Sequence, residues 1–178
     1  MPACPDECTT HVGGINDRGD VGTTSEHSQQ ERAVLWPRSG GRVELGLGVA
    51  WDIVNNSTIV GASNAQPTVW TSGGPALSSP IVHESGAAFA ANNSWLVVGI
   101  GGNRDRSFIW HIASNTLLFL AQSRADAADI NERGDVVDDD RSRHVGAESC
   151  HLARPLATTD SGRAQDTHHT SGVVAATL

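Results

Sequence analysis

Asp52 and Asp129 stand at matching places in a segment that recurs along this 178-residue chain, and together they form a minimal acid–base kit. Glycoside hydrolysis needs two carboxyl groups flanking the scissile bond, one donating a proton and the other acting as base or nucleophile. Asp52, Glu84 and Asp105 can also be combined on paper, but their spacing follows no catalytic template. The chain contains no Gly-x-Ser-x-Gly elbow, no P-loop and no dinucleotide fingerprint opening a helix. Gly99-Ile100-Gly101-Gly102 leaves one strand for another, so it lacks the helix N-terminus that would hold a phosphate. The expectation is no catalytic residue and no cofactor-binding residue.

Metal ligands are equally sparse. Cys4, Cys8 and His11 have the spacing of half a zinc site, with His27 as a fourth donor, but a second closely spaced pair is missing. The later histidines His144, His151, His168 and His169 sit in a segment without a visible scaffold. Asp129, Asn131, Gly134 and Asp140 fall at positions one, three, six and twelve of a calcium loop. Position five is Arg133, a cation where calcium needs an oxygen. A frayed terminus and a repeat turn account for these residues better, and no metal site is expected.

Arg18-Gly19-Asp20 and Arg133-Gly134-Asp135 spell the same tripeptide twice, each at a turn where glycine supplies a positive φ. Duplication of a structural unit explains the coincidence. Asn55, Asn56 and Asn92 open Asn-x-Ser/Thr sequons, which matter only in a glycosylating host. Trp36, Trp70 and Trp110 each close an apolar run at the same place in successive units. A ring at the end of a strand, once per repeat, reads as a packing anchor rather than an aromatic cage. Trp51 and Trp95 are irregular and are therefore expected to be the exposed pair.

The elements that position these residues repeat with a fixed period. Asn16, Val54, Asn92 and Asn131 are equivalent and step by 38, 38 and 39 residues. Around each lies an apolar residue, an Asn/Asp/Gly cluster and an apolar β-branched pair, as in Ile15 to Val21 and Ile130 to Val137, which is a hairpin signature. Ser57 and Trp95 replace the turn glycine in the two middle copies, which implies a changed or strained turn. The first copy reads as one residue short before Gly22, and the fourth has Asp138 where glycine is expected. Each hairpin is followed by the strand ending in Trp, a Gly/Ser/Pro turn and a further short apolar run. Four short strands in about 40 residues match one propeller blade. No window sustains helical periodicity.

Composition agrees. Hydrophobic residues make up 38% of the chain, and its 19 glycines suit a turn-dense β protein. Net charge is -8, every basic side chain is arginine, and no basic stripe exists, which disfavours nucleic acid and anionic membrane as partners. The longest apolar run, Trp95 to Gly102, is far short of the roughly 18 residues of a spanning helix.

The pattern Ala-x-x-Ile-Asn-x-x-Gly-x-Val-Val-Gly, then an apolar run closing in Trp, then Gly-Gly and Leu, resembles the HAF-repeat family over residues 13 to 137. That resemblance implies a bacterial, extracellular, propeller-like β array without catalytic residues to carry over. The N-terminal sequence shows no signal peptide, having neither a basic n-region nor an apolar h-region.

The expected fold is all-β, with tandem four-stranded antiparallel units of about 38 residues in a partial or incomplete propeller-like array. An N-terminal segment, 1–12, precedes the repeat domain, 13–137, whose units lie near 13–49, 50–87, 88–126 and, partially, 127–137. Residues 138–178 carry no repeat and read as a disordered tail. The expected function is non-enzymatic interaction or binding at a surface or outside the cell, with an unknown protein or glycan partner and self-association through open blade edges. The alternative is glycan binding or processing through Asp52, Asp129 and exposed tryptophan.

Overall fold

The computed structural model describes residues 9–27, 30–72, 74, 76–81, 84–103, 106–123, 125–140, 150–155 and 175–176. All regular structure in these residues is β, arranged as four sheets of four strands. The first unit comprises β1 (Thr9–Ile15), β2 (Val21–His27), β3 (Gln30–Trp36) and β4 (Val43–Leu47). The second comprises β5 (Val49–Ile53), β6 (Ile59–Ser63), β7 (Gln66–Trp70) and β8 (Leu77–Ser78). The third comprises β9 (Ala87–Ala91), β10 (Leu96–Gly101), β11 (Arg106–His111) and β12 (Thr116–Ser123). The fourth comprises β13 (Ala125–Ile130), β14 (Val136–Asp140), β15 (Cys150–Pro155) and β16 (Ala175–Ala176). Within each unit the strands lie in chain order, and every pair is antiparallel except β15 with β16.

Two boundaries differ from the sequence reading. β1 begins at Thr9, inside the segment set apart as 1–12. Pairing also continues beyond Val137, since β14 runs to Asp140 and β15 pairs with it from Val136↔Ala153 to Asp139↔Cys150. The expected tail thus supplies the third and fourth strands of the last unit. The sequence hides this because Ala153 occupies the place held by Trp36, Trp70 and Trp110 in the other units. The rest of the expected tail, 141–149, 156–174 and 177–178, lies outside the described residues.

The first copy also proves to be full length. Ile15 pairs with Val21 and Ile53 with Ile59, so five residues separate the two strands in both units. Gly22 therefore stands in the place of Val60, and Thr23 in the place of Gly61. Matching glycine to glycine creates an apparent deletion that the strand register removes.

One turn recurs in all four units. The N–H of Gly19, Ser57, Trp95 and Gly134 donates to the carbonyl of Asn16, Val54, Asn92 and Asn131 respectively, at 2.9, 2.9, 3.3 and 3.0 Å. These donors share a left-handed backbone, with φ of 82°, 62°, 65° and 81°. Ser57 and Trp95 thus keep the glycine turn and carry its strain, about 1–2 kcal/mol for a residue with a Cβ. The Asn side chain explains why the turn survives. Asn16 Oδ1 accepts the N–H groups of Arg18 and Asp20, Asn92 Oδ1 those of Ser94 and Leu96, and Asn131 Oδ1 those of Arg133 and Asp135. Where Val54 cannot do this, Asn56 Oδ1 accepts the Thr58 N–H instead.

The first strands of successive units, β1, β5, β9 and β13, lie side by side as an inner row. No comparable packing joins β13 to β1 among the described residues, so the row does not close. Each inner strand carries a bulge at an equivalent residue: Gly13, Trp51, Phe89 and Ala128. The bulge explains the glycine of the Val-Val-Gly motif. A Cβ on Gly61 would lie 1.8 Å from the Val49 carbonyl oxygen, and one on Gly99 2.0 Å from that of Ala87.

Three apolar cores lie between units. Ala33 and Leu35 of the first unit meet Ala50, Ile53, Ile59 and Trp70 of the second. Val60, Val69 and Ile81 meet Ala88, Val97, Phe108 and Trp110 of the third. Ala90, Val98, Ile109 and Leu120 meet Ala127, Ile130 and Val136 of the fourth. Alternate residues of each sheet thus face the unit before and the unit after. A fully buried side chain of this size contributes about 1.5–3 kcal/mol, so the cores are what hold the array together. Trp70 and Trp110 are each 1% exposed, as anchors should be, while Trp36 is half-buried.

Candidate binding groove along the inner strands

The turn residues that looked available for chemistry are engaged in joining units. The N–H of Asp17 donates to Asn55 Oδ1, that of Asn55 to Asn93 Oδ1 and that of Asn93 to Glu132 Oε2, at 2.9, 2.9 and 3.1 Å. Asn16 Nδ2 donates to the Val54 carbonyl and Asn92 Nδ2 to that of Asn131, at 3.1 and 3.0 Å. This ladder runs along one end of the array with the period of the repeat.

The two Arg-Gly-Asp tripeptides belong to the same turns. Asp20 is buried and accepts the Arg38 N–H, the Ser57 hydroxyl and Asn16 Nδ2. These bonds hold its carboxyl below the ordinary value of 3.8, with the Arg38 N–H contributing most. Asp135 is buried too and accepts Asn131 Nδ2 at 3.0 Å, with Arg133 3.3 Å away. Neither carboxylate is presented to solvent. Asn131 Oδ1 is likewise turned to its own backbone, and Asp129 Oδ1 accepts the Ile130 N–H at 2.8 Å. Cys4 and Cys8 lie outside the described residues.

Gly14, Asp52, Ala90 and Asp129 share one place beside the bulges of the inner row. Asp52 is half-buried; its Oδ1 accepts the Ile53 N–H at 2.7 Å, and its Oδ2 the Ala91 N–H of β9 at 3.2 Å. Burial raises its carboxyl above the ordinary 3.8, the two N–H groups oppose that rise, and the charge of Asp129 adds to it. Asp129 itself is exposed, with β9 standing between the two carboxylates.

The bulge residues form the exposed aromatic part of the row. Trp51 is 45% exposed and meets Phe89 edge to face, with centroids 5.5 Å apart and planes at 82°. Trp95, at 40%, is exposed as expected, but on the turn end. Beside Trp51 a cleft of about 390 Å³ opens between the first two units, lined by His11, Val12, Gly13, Thr24, Glu31, Val49, Ala50 and Trp51. Sequence reasoning missed this cleft, because His11, Glu31 and Trp51 come from three strands of two units. A second, more open cleft of about 450 Å³ is lined by Pro80, Ile81, Asn115, Thr116, Leu117 and Phe119. Its amide, Asn115, is committed through Oδ1 to the Trp110 indole N–H at 3.2 Å.

No protein-family model, no curated protein and no solved structure matches this chain. Among the described residues no group of three or more His, Cys, Asp or Glu side chains is placed to hold a metal ion. No helix of the described residues is long and apolar enough to cross a membrane.

Proposed function

We propose that this chain is a non-enzymatic β-repeat binding module, working at a surface or outside the cell as the HAF-type repeat implies. The observation that carries this reading is the division of labour among its side chains. Buried polar groups join one unit to the next, whereas Trp51 stays 45% exposed at the mouth of a cleft on the inner row. A concavity lined by apolar residues and a few convergent polar groups is the default place for a ligand. Free edges, such as that of β12, offer unpaired N–H and C=O groups for association with further copies or other chains. Trp51→Ala tests the reading against an array of glycans and protein ligands. Loss of a saturable ligand, with the unfolding midpoint held, supports it; unchanged ligand binding refutes it.

The equivalent places of Asp52 and Asp129 on the inner row, with burial raising the Asp52 carboxyl above its ordinary value, support a second reading, a glycan-processing site using these two carboxyl groups. Asp52→Asn decides between the two. Under the binding reading neither the native chain nor the variant releases reducing ends from any glycan, and the two bind alike.

A further inference from the structure

The cleft between the first two units carries more information than its volume. Thr24, on its wall, is already committed: its Oγ1 accepts the Ala50 N–H at 2.8 Å and donates to the Ala50 carbonyl at 3.4 Å. Glu31 and His11 are not. Both are exposed, and neither side chain has a hydrogen-bonding or ionic partner among the described residues. Among the described residues the cleft thus brings together Trp51, an unpartnered carboxylate and an unpartnered imidazole, on a wall made otherwise of Val12, Gly13, Val49 and Ala50.

Two ligand chemistries use an indole beside a carboxylate. A quaternary ammonium ion is held by several aromatic faces turned inward around it. Trp51 is the one aromatic residue lining this cleft, and Phe89 meets it edge to face without lining the cleft itself. A hexopyranose with all its hydroxyls equatorial needs a single ring, because its axial C–H groups make a flat apolar face. Its hydroxyl edge then donates to a carboxylate and exchanges bonds with an imidazole. The volume, about 390 Å³, lies in the range of small-molecule sites, roughly 300–1,000 Å³.

We propose that this cleft is a subsite for an all-equatorial hexopyranose of a β-linked glycan, stacked on Trp51, with Glu31 and His11 bonding its hydroxyl edge. The inference rests on the binding-module reading and adds the ligand class and the residues that recognise it. The edge contact with Phe89 fixes the Trp51 ring, so less side-chain entropy is lost on binding. Exposure of Trp95 at the opposite, turn end gives an internal control on the same chain.

The probe is cellohexaose, titrated into the ¹⁵N-labelled full chain while the indole N–H signals are followed by NMR. The expected result is saturable movement of one indole signal, the one absent from Trp51→Ala, with no change caused by Trp95→Ala. Glu31→Gln should weaken binding about tenfold, the loss of one charge-assisted hydrogen bond. If Trp51→Ala does not fold, Trp51→Phe keeps a ring and should bind several-fold more weakly. No movement of the Trp51 signal at saturating sugar, or movement that survives Trp51→Ala, overturns the inference. Tetramethylammonium separates the two levels of the account. If it moves the Trp51 signal and cellohexaose does not, the sugar subsite is wrong and the binding module stands. If the native chain cleaves cellohexaose and Asp52→Asn does not, the non-enzymatic reading falls, and with it the subsite as described.

Discussion

Asn55 Oδ1 accepts the backbone N–H of Asp17, 38 residues earlier, at 2.9 Å, and Asn55 Nδ2 returns a bond to the Asp17 carboxylate at 2.8 Å. One side chain thus closes a reciprocal pair between the turns of two units. The same place in the next unit, Asn93, accepts the N–H of Asn55. Interfaces between units are therefore both apolar, in the cores, and hydrogen-bonded, at the turns.

Removal of these bonds should scale with burial. Asn55→Ala breaks an exposed pair and should cost about 1 kcal/mol, whereas Asn16→Ala strands the N–H groups of Arg18 and Asp20 and removes the bond to the Val54 carbonyl, which keeps the Ser57 N–H, and should cost about 3 kcal/mol. Urea unfolding of both variants checks the order.

The left-handed turn residues give opposite predictions for one substitution. Trp95→Gly relieves strain at φ 65° around an exposed ring and should leave stability unchanged or raise it by about 0.5–1 kcal/mol. Ser57→Gly gains the same relief but loses the bond from Ser57 Oγ to Asp20 Oδ2 at 2.8 Å, so it should destabilise by about 0.5–1 kcal/mol. Thermal unfolding of the pair compares them directly.

Core tryptophans should rank by what covers them. Trp70→Ala and Trp110→Ala each empty a core position and should cost about 3–5 kcal/mol. Half-buried Trp36 keeps one bond, Nε1 to Thr23 Oγ1 at 3.0 Å, and Trp36→Ala should cost about 1–2 kcal/mol. Chemical denaturation resolves the difference.

Two carboxylates give the stability opposite slopes around the ordinary value of 3.8. Asp20 is held below it, so its contribution is complete above 3.8 and lost as pH falls through the lower, folded value. Asp52 is held above it, so the folded chain binds that proton more readily than the unfolded chain. Stability from Asp52 therefore falls as pH rises from 3.8 through the folded value. Asp20→Asn should flatten the acid-side loss, and Asp52→Asn should flatten the decline above 3.8.

Much of this fold was legible because it is local. The period, the hairpin turns and the buried places of Trp70 and Trp110 follow from residue type and spacing. The first unit was misread because residue identity aligned Gly22 with Gly61, whereas strand register aligns Gly22 with Val60. The fourth unit was cut short because β15 has alanine in place of the Trp landmark. Spacing cannot reveal which side chain of one unit meets the backbone of the next, since that depends on the rotation between sheets. For the same reason Asp52 and Asp129 were recognisable as equivalent, while the cleft of His11, Glu31 and Trp51 was not.

Each of the first three turns is bonded to the one after it. Hydrogen exchange read amide by amide measures this directly. The N–H groups of Asp17, Asn55 and Asn93 each have an acceptor in the following unit, whereas the Glu132 N–H has none among the described residues. The account predicts slow exchange at the first three and fast exchange at Glu132. Equal, rapid exchange at all four would contradict it.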